Sequence, residues 1–406
     1  MNDIERVFRE AHGRAVATLV RVFGDIALAE DAVQDAFVAA MDRWPRDGVP
    51  ANPAGWIVAT ARNRATDVVR RDLRGRELYR QVAATQRSSD TAQHPEQDDL
   101  MRDDQLRLIF TCCHPAIRVE HQVALTLRLI GGLTPAEVAR AFLVSEATMA
   151  KRLVRAKYKI KAANIPYQVP SDIELPARLR AVLSVLYLIY NTGADDPDNR
   201  SDLRLEAIRL ARVLVALMPD ESEAAGLLAL MLLCESRVPA RGAGGGIVLL
   251  RDQDRSLWDR TLIDEGHDLL LTCIQQGQMG PFQLQAAIHG VHCAAATFHD
   301  TDWTAIANLY DLLVVMMPTP VVKLNRAIAK SETEGADAAL GLLDDVAEEL
   351  DNYYLLHATR GAMLEELGRL DDAAEAFRRA AQLAPTEPAA RFLSRKHIAA
   401  AGRLDT

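Results

Sequence analysis

LTPAEVARAFLVSEATMAKRLVRAKYKIK, Leu133–Lys161, is the stretch from which the rest of the chain is read. Thr134 is a good N-cap, Pro135 stands at the first helical position, and Glu137 completes a capping box. Val138, Ala141 and Phe142 give this short helix an apolar side, Leu143-Val144 fills a turn, and Ser145 caps a second helix. Along that helix Met149, Leu153, Ala156 and Ile160 recur at i, i+4, i+7 and i+11, a narrow stripe for a core. Thr148, Lys151, Arg152, Arg155 and Lys159 share a different face, roughly 100° wide. A capped short helix, a tight turn and a basic second helix predict a helix-turn-helix whose cations meet phosphates and whose arginines reach base edges in a major groove. A solvated basic helix of a bundle has the same charge pattern; the turn and the caps favour nucleic acid.

Working outward, 406 residues suggest two to three domains, and 49% apolar residues suffice for sizeable cores. With only 5% aromatics and abundant Ala, Leu, Arg and Glu, the composition favours an all-α chain. The net charge of −9 argues against a chain that coats nucleic acid, yet Thr134–Lys161 holds seven cations against two carboxylates. Cationic charge is therefore local, on an otherwise acidic protein. Five cysteines at spacings that suit no disulfide framework point to a reducing compartment, the cytoplasm. The N-terminus has no apolar run of the kind a signal peptide carries. The longest apolar runs, Ala181–Tyr190 and Ala224–Cys234, are half of the ~20 residues a membrane span needs.

Upstream, Ile4, Val7, Phe8, Ala11, Ala15, Leu19 and Val22 mark a first amphipathic helix, broken by Gly24-Asp25. A second, Leu28–Trp44, puts Ala29, Ala32, Val33, Ala36, Phe37, Ala40, Met41 and Trp44 on one face. Glu30, Asp31, Gln34, Asp35 and Asp42 lie on its other side and read as a solvated acidic face. Three prolines and two glycines predict a loop over Trp44–Trp56. A third helix, Pro53 to about Leu73, turns Ile57, Ala61, Ala65 and Val68 to a core. Arg62, Asn63, Thr66, Arg70 and Arg74 gather on another side. Arginines beside a tryptophan-flanked loop could hold a nucleic-acid strand, or be a solvated face. Gln81–Asp99 reads as a polar linker; helical pattern resumes at Leu100 and ends at Gly131-Gly132.

Two modules in this order resemble an RNA polymerase sigma factor of the sigma-70 family, extracytoplasmic-function type, over about the first 165 residues. AEDAVQDAF, Ala29–Phe37, is similar to the family's second region, D-x-V-Q-[DE]-x-F, which docks on the clamp helices of the polymerase β′ subunit. The resemblance makes Asp31, Gln34 and Asp35 the core-binding residues. NPAGWIVATARNRATDVVRR, Asn52–Arg71, resembles W-L-x-x-I-A-x-N-x-x-x-D-x-x-R, the part that opens the −10 element and captures a flipped base. It implies −10 contacts by Trp56, Arg62, Asn63, Thr66 and Arg70. Leu133–Lys161 resembles the fourth region, which reads the −35 element, here through Ser145, Thr148, Lys151, Arg152 and Arg155. The usual T-V-K/R-S-R is Thr148-Met149-Ala150-Lys151-Arg152 in this chain. A cation has moved by one position, so the −35 sequence of relatives does not carry over.

The expected organisation is region 2 over 1–76, a linker over 77–99, region 4 over 100–165 and a helical domain over 170–406. Near the end Gly361, Gly368, Ala373, Phe377, Ala380 and Pro385 fall at tetratricopeptide spacing. A single clear unit needs neighbours to bury its faces, and Leu309–Leu350 is expected to supply degenerate ones. This half resembles the extension of one sigma-factor subgroup, with GIVLLRDQDRSLWD (Gly246–Asp259) and GPFQLQAAI (Gly280–Ile288) as its hallmark segments. Gly242–Gly246 follows no strand and lacks a phosphate-loop frame. Asp252, Asp254 and Asp259, interleaved with Arg251, Arg255 and Arg260, read as ion-paired structure rather than catalytic carboxylates. Cys112-Cys113-His114 and His289, His292, Cys293 read as buried thiols and satisfied histidines rather than metal ligands.

The expectation is a non-enzymatic sigma factor needing no cofactor and no metal. Its partners would be the β′ and β subunits of core RNA polymerase, promoter DNA, and a protein or peptide ligand of the extension, with no membrane. The competing reading is an autonomous helix-turn-helix regulator with a repeat sensor domain, which would need no acidic docking helix.

Overall fold

Asp25 begins the fold's logic: its carboxylate accepts hydrogen bonds from Ala27 N and Leu28 N at 2.9 and 3.1 Å and starts a helix just after Gly24 (φ +68°) has ended one. The two helices are α1, Asp3–Phe23, and α2, Ile26–Asp47. The computed structural model describes residues 3–72, 95–142, 144–194, 197–241 and 247–402. All elements among the described residues are helical. They fall into two units, Met1–Leu217 and Met218–Thr406.

In the first unit α1, α2 and α3 (Pro53–Asp72) pack as a trio. Ala15, Val16 and Leu19 meet Ala29, Val33, Ala36 and Phe37 of α2 and Ile57, Ala61 and Ala65 of α3, all buried. The many alanines let the helix axes come close. Two expectations shift here. The α3 stripe continues through Val69, buried, and not Val68, exposed; from Ala65 a step of four residues, not three, stays in the seam. And α2 runs on through Pro45 to Gly48 (φ +84°), shortening the loop to residues 48–52. Proline in a last turn removes a single helical bond, while the buried Trp44 holds that turn against the core.

Helix α4 spans Pro95–Cys112, starting before Leu100. That helix takes residues 95–99 of the expected linker; residues 77–94 of it lie outside the described residues, as does Arg74. Helix α5, Val119–Leu125, runs into a π-helical turn, Thr126–Ile130, and then come α6, Pro135–Ala141, and α7, Glu146–Ala162. The trio and this group touch directly: α1 packs on α4 and on the π turn. A Cβ on Gly13 would stand 2.8 Å from the Ile130 carbonyl, so glycine sets that approach.

The hairpin of α8 (Leu175–Ala194) and α9 (Pro197–Leu217) closes the same unit. Arg178 Nη2 donates to the Phe110 carbonyl at 2.6 Å. Val182, Leu186, Leu210 and Leu214 line a small apolar gap with Ile109 and Ile130.

The second unit is built on α10, Ser222–Glu235, buried nearly all round and packed on α12 (Arg260–Gln276) and α13 (Pro281–Ala294); a short α11, Val238–Arg241, leads off it. Helices α14 (Trp303–Met316), α15 (Pro320–Glu334), α16 (Ala336–Asp344), α17 (Tyr354–Glu366), α18 (Leu370–Leu383) and α19 (Glu387–Gly402) follow, each packing on the next. Gly361 faces Phe377, whose ring would stand 2.9 Å from an added Cβ, and Ala373 and Ala380 share that core.

Two carboxylates of the DQDRSLWD segment, Asp254 and Asp259, are caps rather than ion-pair partners. Asp254 accepts from Ser256 N at 2.9 Å, and Asp259 from Thr261 N and Leu262 N at 2.9 and 3.2 Å. Arg255 instead donates to the His292 and Ala295 carbonyls at 2.8 and 2.7 Å and lies over the Trp258 ring. Arginine next to aspartate in sequence therefore found its acceptors 37 and 40 residues away. Residues 242–246, the glycine segment, lie outside the described residues.

Candidate nucleic-acid and polymerase interfaces

Helix α7 is fixed in place by its N-cap and its core stripe. Ser145 Oγ accepts from Thr148 N at 3.3 Å and shares a 2.8 Å bond with the Thr148 hydroxyl. Before it, the capping box is complete: Thr134 N donates to Glu137 Oε2 at 2.7 Å and Glu137 N to Thr134 Oγ1 at 3.2 Å. Met149, Leu153, Ala156 and Ile160 are buried, which fixes the rotation of the helix. Ser145, Thr148, Lys151 and Arg155 are consequently exposed, and Arg152 is half-buried. The sequence reading missed an apolar strip beside these cations: Ala147 and Ala150 are exposed, Val154 is 65% and Tyr158 71% exposed. Their spacing of three and four residues was the signal that could have found them.

The second surface lies on α3. Asn52 caps it, Oδ1 accepting from Gly55 N at 2.9 Å. That bond seats Trp56, half-buried, edge-on to the buried Trp44 with centroids 5.5 Å apart. Asn63 and Arg70 are exposed and Arg62 is half-buried. Burial, then the nearby Arg21 charge, pull the Arg62 guanidinium below its ordinary pKa. Thr66 does not share this surface: it is 4% exposed, and its hydroxyl donates to the Arg62 carbonyl at 2.8 Å. A threonine one turn after Arg62 has that carbonyl within reach and turns inward.

The third surface is on α2. Asp31 and Asp35 are exposed and Gln34 is half-buried. With Val38 and Asp42 the two carboxylates form one exposed line at i, i+4, i+7 and i+11, flanked by exposed Met41. Burial and then the Glu30 charge raise the Asp31 carboxyl. Glu30 itself leaves the solvated face on which its sequence position puts it. It is 4% exposed, its Oε1 accepts from Arg128 Nε at 2.5 Å, and Oε2 pairs with Lys157. Burial pushes its carboxyl up, and the two cations together pull it below the usual range.

The thiols are inert by environment. Burial raises Cys112 well above its ordinary value and Cys113 to about 12, with Cys113 Sγ 3.6 Å from Thr126 Oγ1. His292 is held down to about 3 by burial and by Arg237, and His289 Nδ1 stands 3.0 Å from Arg237 Nη2. Among the described residues no group of three His, Cys, Asp or Glu is placed to hold a metal ion, and no helix is long and apolar enough to cross a membrane.

Residues 7–75 match the family model described as Sigma-70 region 2, and residues 107–160 match Sigma-70, region 4. Residues 178–274 match a family of unknown function (DUF6596). The chain is also similar to an uncharacterized protein of Rhizobium meliloti (strain 1021), 41% identical over 406 residues, covering 98% of this chain and 96% of that one.

Proposed function

The chain belongs to the sigma-70 family of sigma factors, which act in transcription initiation with core RNA polymerase and promoter DNA, and on that premise we propose which of its residues do the work and how. It is a cytoplasmic factor of the extracytoplasmic-function type. Helix α2 docks on basic helices of the polymerase β′ subunit through Asp31, Gln34 and Asp35, with Val38 and Met41 adding apolar contact. Helix α3 melts the −10 element, where Trp56 and Asn63 receive an unstacked base and Arg62 and Arg70 follow the phosphates. Helix α7 reads the −35 element: Thr148 and Lys151 face base edges, Arg152 and Arg155 hold phosphates, and Ser145 works chiefly as the cap that aims them.

The exposed carboxylate line of α2 is the observation that carries this reading, because a free-standing helix-turn-helix regulator has no use for it. The two cationic surfaces are modest, and DNA affinity without polymerase should be weak. Polymerase supplies the effective concentration that makes both contacts count. The extension regulates, with its tetratricopeptide-like hairpins taking a protein or peptide ligand. Run-off transcription with core polymerase tests the whole: initiation from a defined start only when both are present supports it. A strong footprint from the chain alone, unchanged by polymerase, would instead make it an autonomous regulator.

A further inference from the structure

The rotation of α12 is set by its core side, where Ile263, Gly266, Leu270 and Cys273 are buried. A Cβ on Gly266 would stand 2.8 Å from Leu233 Cγ of α10, and Cys273 Sγ donates to the Ser222 carbonyl at 3.4 Å. These contacts turn one face outward. On it Asp264 and Asp268 are exposed, Leu271 is 57% and Ile274 72% exposed, and Gln275 follows. The line on α2 has the same make-up at the same spacing. Asp31, Asp35, Val38 (60%), Met41 (56%) and Asp42 stand at identical steps along their helix. The positions between agree as well: Val33, Phe37 and Ala40 are buried where Gly266, Leu270 and Cys273 are, and Gln34 is half-buried where His267 is.

Exposed carboxylates alone make a solvated face. Two branched apolar side chains held open beside them make a surface fit to be covered. Carboxylates at one end and apolar groups at the other suit a helix that carries cations and an apolar edge. Met218–Thr406 holds 28 carboxylates against 16 cations, so nucleic acid or a second copy of this unit would be repelled. We infer, resting on the function proposed for α2, that α12 is a second docking helix for core RNA polymerase and takes the same chemistry, a basic helix with an apolar edge. With both helices on one chain, each contact raises the effective concentration of the other.

A photoreactive side chain reads the contact. p-Benzoylphenylalanine replaces Leu271 in the full chain, and Val38 in a parallel sample; both positions are exposed, so the fold should stand. Irradiated with core polymerase, the Leu271 probe should form an adduct with a polymerase subunit, mapped by peptide mass spectrometry to a helix bearing lysines or arginines. Asp264→Arg with Asp268→Arg should lower that yield about tenfold at subsaturating polymerase. The isosteric pair Asp264→Asn with Asp268→Asn should lower it about threefold, with helical circular dichroism unchanged in both. An adduct from Val38 with none from Leu271 would overturn the second helix. So would Leu271 adducts confined to the chain and its copies, or a yield indifferent to both pairs of substitutions. A polymerase adduct from Leu271 alone would support α12 and sink the role proposed for α2, and silence from both probes would sink both.

Discussion

His12 gives a quantitative test of how the first unit is held together. It is fully buried, stacked 6.4 Å from Phe37, and its imidazole is pushed from 6.5 down to about 4, chiefly by burial and then by the Arg128 charge. A folded-state pKa below the unfolded one means that the unfolded chain binds the proton first. Stability is therefore full above about pH 6.5 and falls as the pH drops towards about 4. The limiting loss is about 3 kcal/mol, and at pH 5 it is about 2 kcal/mol relative to pH 7.5. That corresponds to a roughly 30-fold drop in the protection of α1 amides against hydrogen exchange, after correction for intrinsic rates. His12→Leu keeps the site apolar and cannot titrate. Its protection should lose about 30-fold less over the same interval than wild type's, whatever the carboxylates contribute to both. If the two profiles run parallel, His12 is not a neutral buried group and the account of this core is wrong.

Four further outcomes are expected. Arg152→Ala and Arg155→Ala should each weaken holoenzyme binding to promoter DNA and lower the slope of log K against log salt by about 0.9 for every phosphate left without its cation, read by filter binding across salt concentrations. Ser145→Ala should cost about 1 kcal/mol of stability at the start of α7, seen as faster exchange of its first-turn amides. Gly361→Ala brings a methyl against the Phe377 ring and should lower unfolding stability by about 1–3 kcal/mol in urea titration. A chain ended after Leu217 should keep its helical circular dichroism, whereas one ended after Ile165 loses the cover of Val182, Leu186, Leu210 and Leu214, worth about 1.5–3 kcal/mol each, and should aggregate.

Local chemistry was legible in the sequence; partnership across the chain was not. Thr134, Glu137 and Ser145 announce their caps within three residues, and Met149, Leu153, Ala156 and Ile160 announce a seam by spacing alone. The same reasoning put Asp31 and Asp35 on an open face, where they are. It failed at Glu30, next door, because the partners that bury it lie about a hundred residues downstream. Periodicity ranks a glutamate as solvent-facing, and only tertiary structure can supply the two cations that reverse this. Thr66 failed for a local reason, a hydroxyl able to satisfy itself on its own helix. Asp254 and Asp259 failed because neighbouring opposite charges invite a pairing that backbone N–H groups outbid. The apolar strip Ala147, Ala150, Val154 and Tyr158 was visible as spacing but was overlooked beside the cations.

The account depends most on α2 as the handle by which polymerase is taken. Asp31→Arg together with Asp35→Arg reverses that surface at exposed positions, so the fold should survive. Core polymerase pulled down with the tagged double variant, alongside wild type, measures the claim directly. The account predicts loss of most of the bound polymerase and of the run-off transcript with helical content unchanged. Undiminished capture and transcript from a folded double variant would contradict it.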